Sequence, residues 1–247
     1  MRQQQQRRTL LGVWAHPDDE AYLSAGLMAE YRSRGDRVVV ITATLGERGT
    51  SDPTTWPPER LAALRHIELR NSLATVGVDE LRLLGYADGM CDRGDGTAAI
   101  AAHIADIEPD LIVTFGPDGM TGHPDHRAIS RWTTDAWAAT RPEADLWYAT
   151  LTPHFHQRWR TINDQIGLWA DQPEPPCTEA QELALHTRLP KSLLDLKMAA
   201  LRAHASQTQP LIDLVGTATY REWWRAESFR RADLAGASYV SRLRTVA

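Results

Sequence analysis

Cysteine is nearly absent: Cys91 and Cys177 are the two in 247 residues, far apart and in no CxxC pair. Neither a disulfide framework nor a thiolate metal site is indicated, and a reducing cytoplasm fits. Lysine is equally scarce. Lys191 and Lys197 are the two, so 25 of the 27 basic residues are arginine, which either follows from GC-rich codon usage or supplies groups that fork onto anions. A basic excess is also missing: the net charge is −5 and the pI about 6.0, which argues against a domain held on phosphate backbones and against nucleic acid as a partner. No apolar run is long enough for a transmembrane segment. The apolar stretch after MRQQQQRR is shorter than a signal-peptide core and runs straight into charged residues. The first strand–helix turn has no GxGxxG and no GKS or GKT, which disfavours a nucleotide-cofactor enzyme.

What is present is an ordinary packed-domain composition, 43% hydrophobic and 24% charged. One domain over 9–247 is expected, with residues 1–8 a frayed, solvated tail. Short aliphatic runs alternate with amphipathic stretches: TLLGVWA, RVVVITATL, LRLL, DLIVTF and DLWYATL read as strands, and AYLSAGLMAEYRSRG, PERLAALRHIELRNSLATVG, TAAIAAHIADIEP and HPDHRAISRWTTDAWAAT as helices. This alternation predicts an α/β fold, Rossmann-like and doubly wound, with a mostly parallel sheet and helices on both faces. After about residue 142 the pattern loosens into a less regular part, with one clear helix in LPKSLLDLKMAALRAHASQ and an irregular region around Trp223 and Trp224.

Two motifs carry chemistry. AHPDDE follows the first strand and places His16, Asp18 and Asp19 at the opening of a helix. His16 and Asp19 can face one side of a first helical turn, as two ligands of one metal must, while Asp18 points elsewhere and is free to act on a water. GHPDH follows the fourth strand, with His123 and His126 at the same spacing. In a 3-2-1-4-5 strand order the loops leaving strands one and four meet at the switch point where open α/β sheets bind ligands. An Asp and up to two His around an open position suit zinc. Each motif alone also reads as a helix cap, but caps do not require both clusters in one crevice. Nine tryptophans offer faces for sugar stacking, Trp14 and Trp56 by position, whereas Trp132 and Trp137 fall at helical positions that pack on the sheet.

AHPDDE together with GHPDH resembles the PIG-L/LmbE-like family of zinc-dependent N-acetylglucosaminide deacetylases, over most of the chain up to about Gln207. The resemblance implies that His16, Asp19 and His126 hold zinc, that Asp18 is the general base, and that His123 stabilises or protonates the transition state. The zinc would polarise the amide carbonyl and activate water. It also implies substrate contacts by Glu47 in TLGERG, by Arg65 in RHIEL, by Asp88 in GYADGM, where Gly89 stands in place of a frequent serine, and by His204 in the K-x(6)-H-x-S-Q helix end that starts at Lys197. Glu47 also reads as a solvated loop charge, Arg65 as a partner of Glu68 or Glu59, and His204 as a residue that braces the site instead of touching substrate. The expected activity is a cytoplasmic hydrolase removing an N-acetyl or other N-acyl group from a small N-acyl amino sugar conjugate. The alternatives are an amidase on a thiol conjugate or glycopeptide precursor, and a non-catalytic sugar-binding module. Fe(II), Co(II) or Mn(II) could replace zinc on such ligands, and a homo-oligomer is left open.

Overall fold

Strands with apolar residues at consecutive positions need cover on both faces, so they belong in the middle of a sheet. In the computed structural model, which describes residues 7–169, 172 and 174–232, β1 (Thr9–Trp14), β2 (Arg37–Thr42) and β4 (Leu111–Phe115) are buried along nearly their whole length. Around them lie β3 (Glu80–Leu83), β5 (Asp145–Ala149), β6 (Leu183–Arg188) and β7 (Ala226–Arg231), and the seven strands run in the order β3-β2-β1-β4-β5-β7-β6. The first five are parallel in the expected 3-2-1-4-5 order. β7 and β6 extend the sheet antiparallel. The crossovers are α1 (Asp19–Ser33), α2 (Pro58–Thr75), α3 (Thr97–Ile107) and α4 (Pro124–Thr140). Strand order reverses between β1 and β4, so the loops after them diverge and leave a crevice at their C-terminal ends. No helix among the described residues is long and apolar enough to cross a membrane.

The part after residue 142 is more regular than its sequence suggests. Beyond β5 come α5 (Pro153–Gln165), α6 (Lys191–Ala203), α7 (Ala205–Val215) and α8 (Thr217–Trp223), the last leading into β7. α5 escapes a periodicity reading because Asn163 is its one fully buried residue. β6 escapes it as an edge strand with no fully buried position. The helix expected to run through Gln207 is broken at His204, where ψ swings to 47° and the chain restarts as α7. Of the expected tail, residues 1–6 lie outside the described residues, while the Arg8 N–H already donates to Asp36 at 3.0 Å.

α1 is sandwiched between the sheet and α6, and Lys197 fixes it there. The Lys197 ammonium and Glu227 carboxylate are both fully buried and 2.9 Å apart. Nζ also donates to the Tyr22 carbonyl at 2.6 Å, and Glu227 accepts the Gly26 and Leu27 N–H groups at 2.8 and 2.9 Å. The pair thus grips the middle of α1 from two sides. Lys197→Met leaves Glu227 charged without its cation, and the expected loss is about 3–5 kcal/mol of unfolding free energy, read by urea denaturation. A loss under about 1 kcal/mol would show that the carboxylate is satisfied by the backbone N–H groups alone.

Candidate active site

The turn between β1 and α1 carries the first motif under backbone strain. Asp18 has φ 110°, outside the regions a non-glycine residue adopts freely, at a cost of about 1–3 kcal/mol. The surroundings hold it there. Its N–H donates to Glu20 Oε2 at 2.9 Å, and its carbonyl accepts the Ala21 and Tyr22 N–H groups at 2.9 and 3.0 Å. The Arg65 guanidinium, 4% exposed, donates to the Pro17 carbonyl and, at 2.8 Å, to the Gly46 carbonyl. Gly46 has φ 63°, and a side chain there would strike that guanidinium, so the TLGERG loop closes over Arg65 only because position 46 is glycine.

Three unshared electron pairs meet beside this turn. His126 Nδ1 lies 3.0 Å from the Gly119 carbonyl, an acceptor, so the proton belongs on Nδ1 and the lone pair on Nε2. His16 Nε2 lies 3.1 Å from Asp88 and 3.3 Å from Asp125, so its proton belongs there and its lone pair on Nδ1. Asp19 Oδ2 accepts the His16 N–H at 2.8 Å, leaving Oδ1 open. His16 Nδ1 and His126 Nε2 are 3.1 Å apart, and His126 Nε2 is 3.5 Å from Asp19 Oδ1. Two facing lone pairs at that distance need a shared proton or a cation between them. His126 stacks on Phe115 at 4.1 Å, which sets its ring plane.

The charges correspond to the shared proton, carried by His16 and offered to His126, the proton that a cation would displace. Burial lowers the His126 pKa to about 4, so it is neutral and ready to ligate. Burial also opposes charge on His16, but its bonds to Asp125, Asp19 and Asp88 outweigh it and raise the pKa well above the usual histidine range. Burial would raise Asp19, yet His126 and His16 pull it well below the carboxylate range. Asp18 differs. Burial lifts it to about 6 against the pull of Arg65, whose Nη2 is 3.4 Å from its Oδ2. Two adjacent aspartates therefore have opposite tendencies, one permanently ionised and one able to exchange a proton near neutral pH.

His16, Asp18, Asp19, Arg65, Asp88, His123 and His126 all border one cavity of about 530 Å³. Glu47 stands behind that wall, accepting the Asp88 N–H at 2.8 Å. Asp88 is already engaged, by His16 on one oxygen and by the Arg48 N–H, 2.8 Å away, on the other. Burial would raise its pKa, but His16 holds it at about 2. His204, expected against substrate, does not border the cavity: it is fully buried and its Nε2 is 2.7 Å from Glu20 Oε1. The break between α6 and α7 turns its ring inward, where it braces Glu20 and through it the Asp18 backbone.

Sequence reasoning passed over Asp125, although it stands in GHPDH: wholly buried, it accepts the Gly89 and Cys91 N–H groups at 2.7 and 2.9 Å and faces His16. The aromatic wall also differs from expectation. Trp14 is fully buried, edge-on to Phe115 at 5.1 Å, because its strand position points into the core. Trp56 lies under Arg60 instead of at the cavity, and Trp132 and Trp137 are core residues as expected. Trp169, Trp223 and Trp224 border the cavity in their place.

Residues 11–137 match the family model described as PIG-L, GlcNAc-PI de-N-acetylase. The chain is 34% identical over 235 residues, 80% of each chain, to a 1D-myo-inositol 2-acetamido-2-deoxy-alpha-D-glucopyranoside deacetylase of Mycolicibacterium vanbaalenii. The chain belongs to the PIG-L family. It is an amide-hydrolysing enzyme of the deacetylase type. Among solved structures it is similar to the N,N'-diacetylchitobiose deacetylase of Pyrococcus horikoshii, with TM-score 0.61, 20% identity, and 92% and 84% of the two chains covered. It is similar also to GalB, the 4-carboxy-2-hydroxymuconate hydratase of Pseudomonas putida, with TM-score 0.59, 14% identity, and 92% and 96% covered. These two likenesses concern the fold; within it a PIG-L chain's chemistry has to be read from its site.

Proposed function

We propose that this PIG-L chain removes the acetyl group from an N-acetylglucosamine-type conjugate in the cytoplasm, with a zinc ion held by His16 Nδ1, Asp19 Oδ1 and His126 Nε2. The observation that carries this reading is the convergence of His16 Nδ1, His126 Nε2 and Asp19 Oδ1 beside a buried carboxylate of raised pKa, in a cavity of small-molecule size. A His/His/Asp donor set suits a catalytic zinc with one position left open. A divalent cation there supplies Lewis acidity, polarising the amide carbonyl and making water acidic. Asp18 takes the proton of the attacking water and returns it to the leaving amine, while Arg65 fixes the loop that aims it. His123 Nδ1 accepts the Asp125 N–H at 3.2 Å, so its proton sits on Nε2 and serves the developing oxyanion as a neutral donor. The substrate class follows the Mycolicibacterium relative, whose name specifies a 2-acetamido-2-deoxyglucoside.

Mass-spectrometric screening of N-acetylglucosaminides with varied aglycones, alongside elemental analysis, tests the reading. Release of acetate by protein carrying about one divalent metal per chain is expected. Metal-loaded protein that cleaves none of them would overturn it. Asp125→Ala should lower metal affinity by about 10–100-fold without abolishing it, because Asp125 orients His16 rather than meeting the metal. Competition with a metallochromic chelator measures this, and unchanged affinity would remove Asp125 from that role.

A further inference from the structure

A second chamber of about 210 Å³ adjoins the catalytic cavity, and the two share Tyr22, Leu151, Trp223 and Trp224 as walls. Its charge is unbalanced. Arg158 of α5, Arg188 of β6 and Arg225 just after α8 close on one carboxylate: Arg188 Nη2 is 2.5 Å and Arg158 Nη2 3.5 Å from Glu222 Oε1, and Arg225 Nη1 is 3.4 Å from Oε2. The chamber's other carboxylate, Glu227, is already matched by Lys197. Nearby Arg221 has its own partner in Asp195 at 2.6 Å. His186 bonds Ser228 at 2.9 Å, and His154 adds no negative charge. Among the described residues, one carboxylate therefore faces three guanidinium groups.

A single exposed ion pair is worth little and explains itself. Three guanidinium groups around one carboxylate leave an excess positive charge on half-exposed side chains that an incoming anion can reach, and guanidinium forks are shaped to take carboxylate or phosphate oxygens in pairs. We propose that this chamber takes an anionic group, a carboxylate or phosphate, carried by the aglycone of the substrate whose amide reaches the neighbouring metal site. Arg158 and Arg188 grip the anion. Tyr22 and Trp224, in ring contact at 4.5 Å, form the apolar neck between the two chambers. This assignment gives part of the arginine excess a use, and it rests on the deacetylase reading for the identity of the ligand.

The test compares N-acetylglucosaminides with a neutral alkyl aglycone against the same chain ending in carboxylate or phosphate, on metal-loaded wild type and the Arg158→Gln/Arg188→Gln variant. Wild type should favour the anionic substrates by about tenfold or more in kcat/KM, through KM. The double variant should lose that preference while cleaving the neutral substrate at the wild-type rate. Inorganic phosphate is titrated calorimetrically into both proteins, since any binding at the metal is common to them. Arginine-dependent phosphate binding without a substrate preference would overturn the aglycone assignment and leave a site for a free anion. Neither effect would overturn the proposal altogether. If no N-acetylglucosaminide of either charge is cleaved while phosphate binding still depends on the arginines, the deacetylase reading fails and the anion site stands.

Discussion

Asp18→Asn is expected to retain its metal and to lose about 10²–10⁴-fold in kcat, the usual cost of removing a general base. The substitution is unusually clean at this position. Asparagine tolerates positive φ better than other non-glycine residues, so the φ of 110° and the backbone bonds to Glu20, Ala21 and Tyr22 can survive. The amide still accepts from Arg65 but cannot take the water's proton. Asp18→Ala would instead test strain and chemistry together. With Asp18 as base, wild-type kcat/KM falls on the acid side as the carboxylate protonates, and that limb should be missing from the residual activity of Asp18→Asn. Metal content and steady-state rates measured together check the result. If Asp18→Asn loses its metal while Asp19→Asn keeps it, the two aspartates have exchanged roles.

The parts of this fold that the sequence made legible share one cause. A parallel central strand is buried on both faces, so VVVIT in β2 and LIVTF in β4 stand out as apolar runs, and the loops after such strands are where ligands bind. AHPDDE and GHPDH sit on the two loops that the order reversal brings together, which is why the sequence already puts His16, Asp19, His123 and His126 in one crevice. The orientation of each ring was out of reach. Nothing in the order of residues says that His126 Nδ1 meets the Gly119 carbonyl, or that His16 Nε2 turns towards Asp88 and Asp125. Asp88 likewise read as a sugar acceptor, with no sign that its oxygens also hold His16 and the Arg48 N–H.

Of the two readings of His204, bracing the site and touching substrate, the structure supports the first. The helix pattern around His204 continues smoothly through the break, and only the backbone shows that α6 stops there and buries the ring against Glu20. The aromatic residues depend on tertiary direction alone: Trp14 precedes the metal motif in sequence but points into the core, whereas Trp224 arrives at the cavity from more than two hundred residues further on. α5 and β6 were lost because both lie at the periphery, where a polar face carries no period.

Two sets of donors surround His16, and removing ligands one at a time decides between them. On one side stand Asp19 and His126, with His123 also close enough to His16 and His126 to share an ion; on the Nε2 side stand Asp88 and Asp125, whose oxygens likewise gather closely enough to hold one. The hydrogen bonds favour the first. Asp125 has both oxygens committed to backbone N–H groups and is wholly buried, and Asp88 has one oxygen on the Arg48 N–H. Such carboxylates orient a histidine better than they bind a metal that must also admit water and substrate. His126 Nε2 and Asp19 Oδ1 have no comparable commitment and face the cavity. Asp19→Ala and His126→Ala should therefore each leave the purified protein nearly free of metal and inactive, since a three-ligand site rarely survives the loss of one ligand. Asp88→Ala should weaken binding only, by about 10–100-fold. His16→Ala removes the metal under either arrangement and so discriminates nothing. Elemental analysis of the three informative variants, each checked for its fold by circular dichroism, gives the answer. Full occupancy in Asp19→Ala and His126→Ala with an empty Asp88→Ala would move the ion to the other nitrogen of His16 and take Asp18 out of reach of the water it is meant to activate.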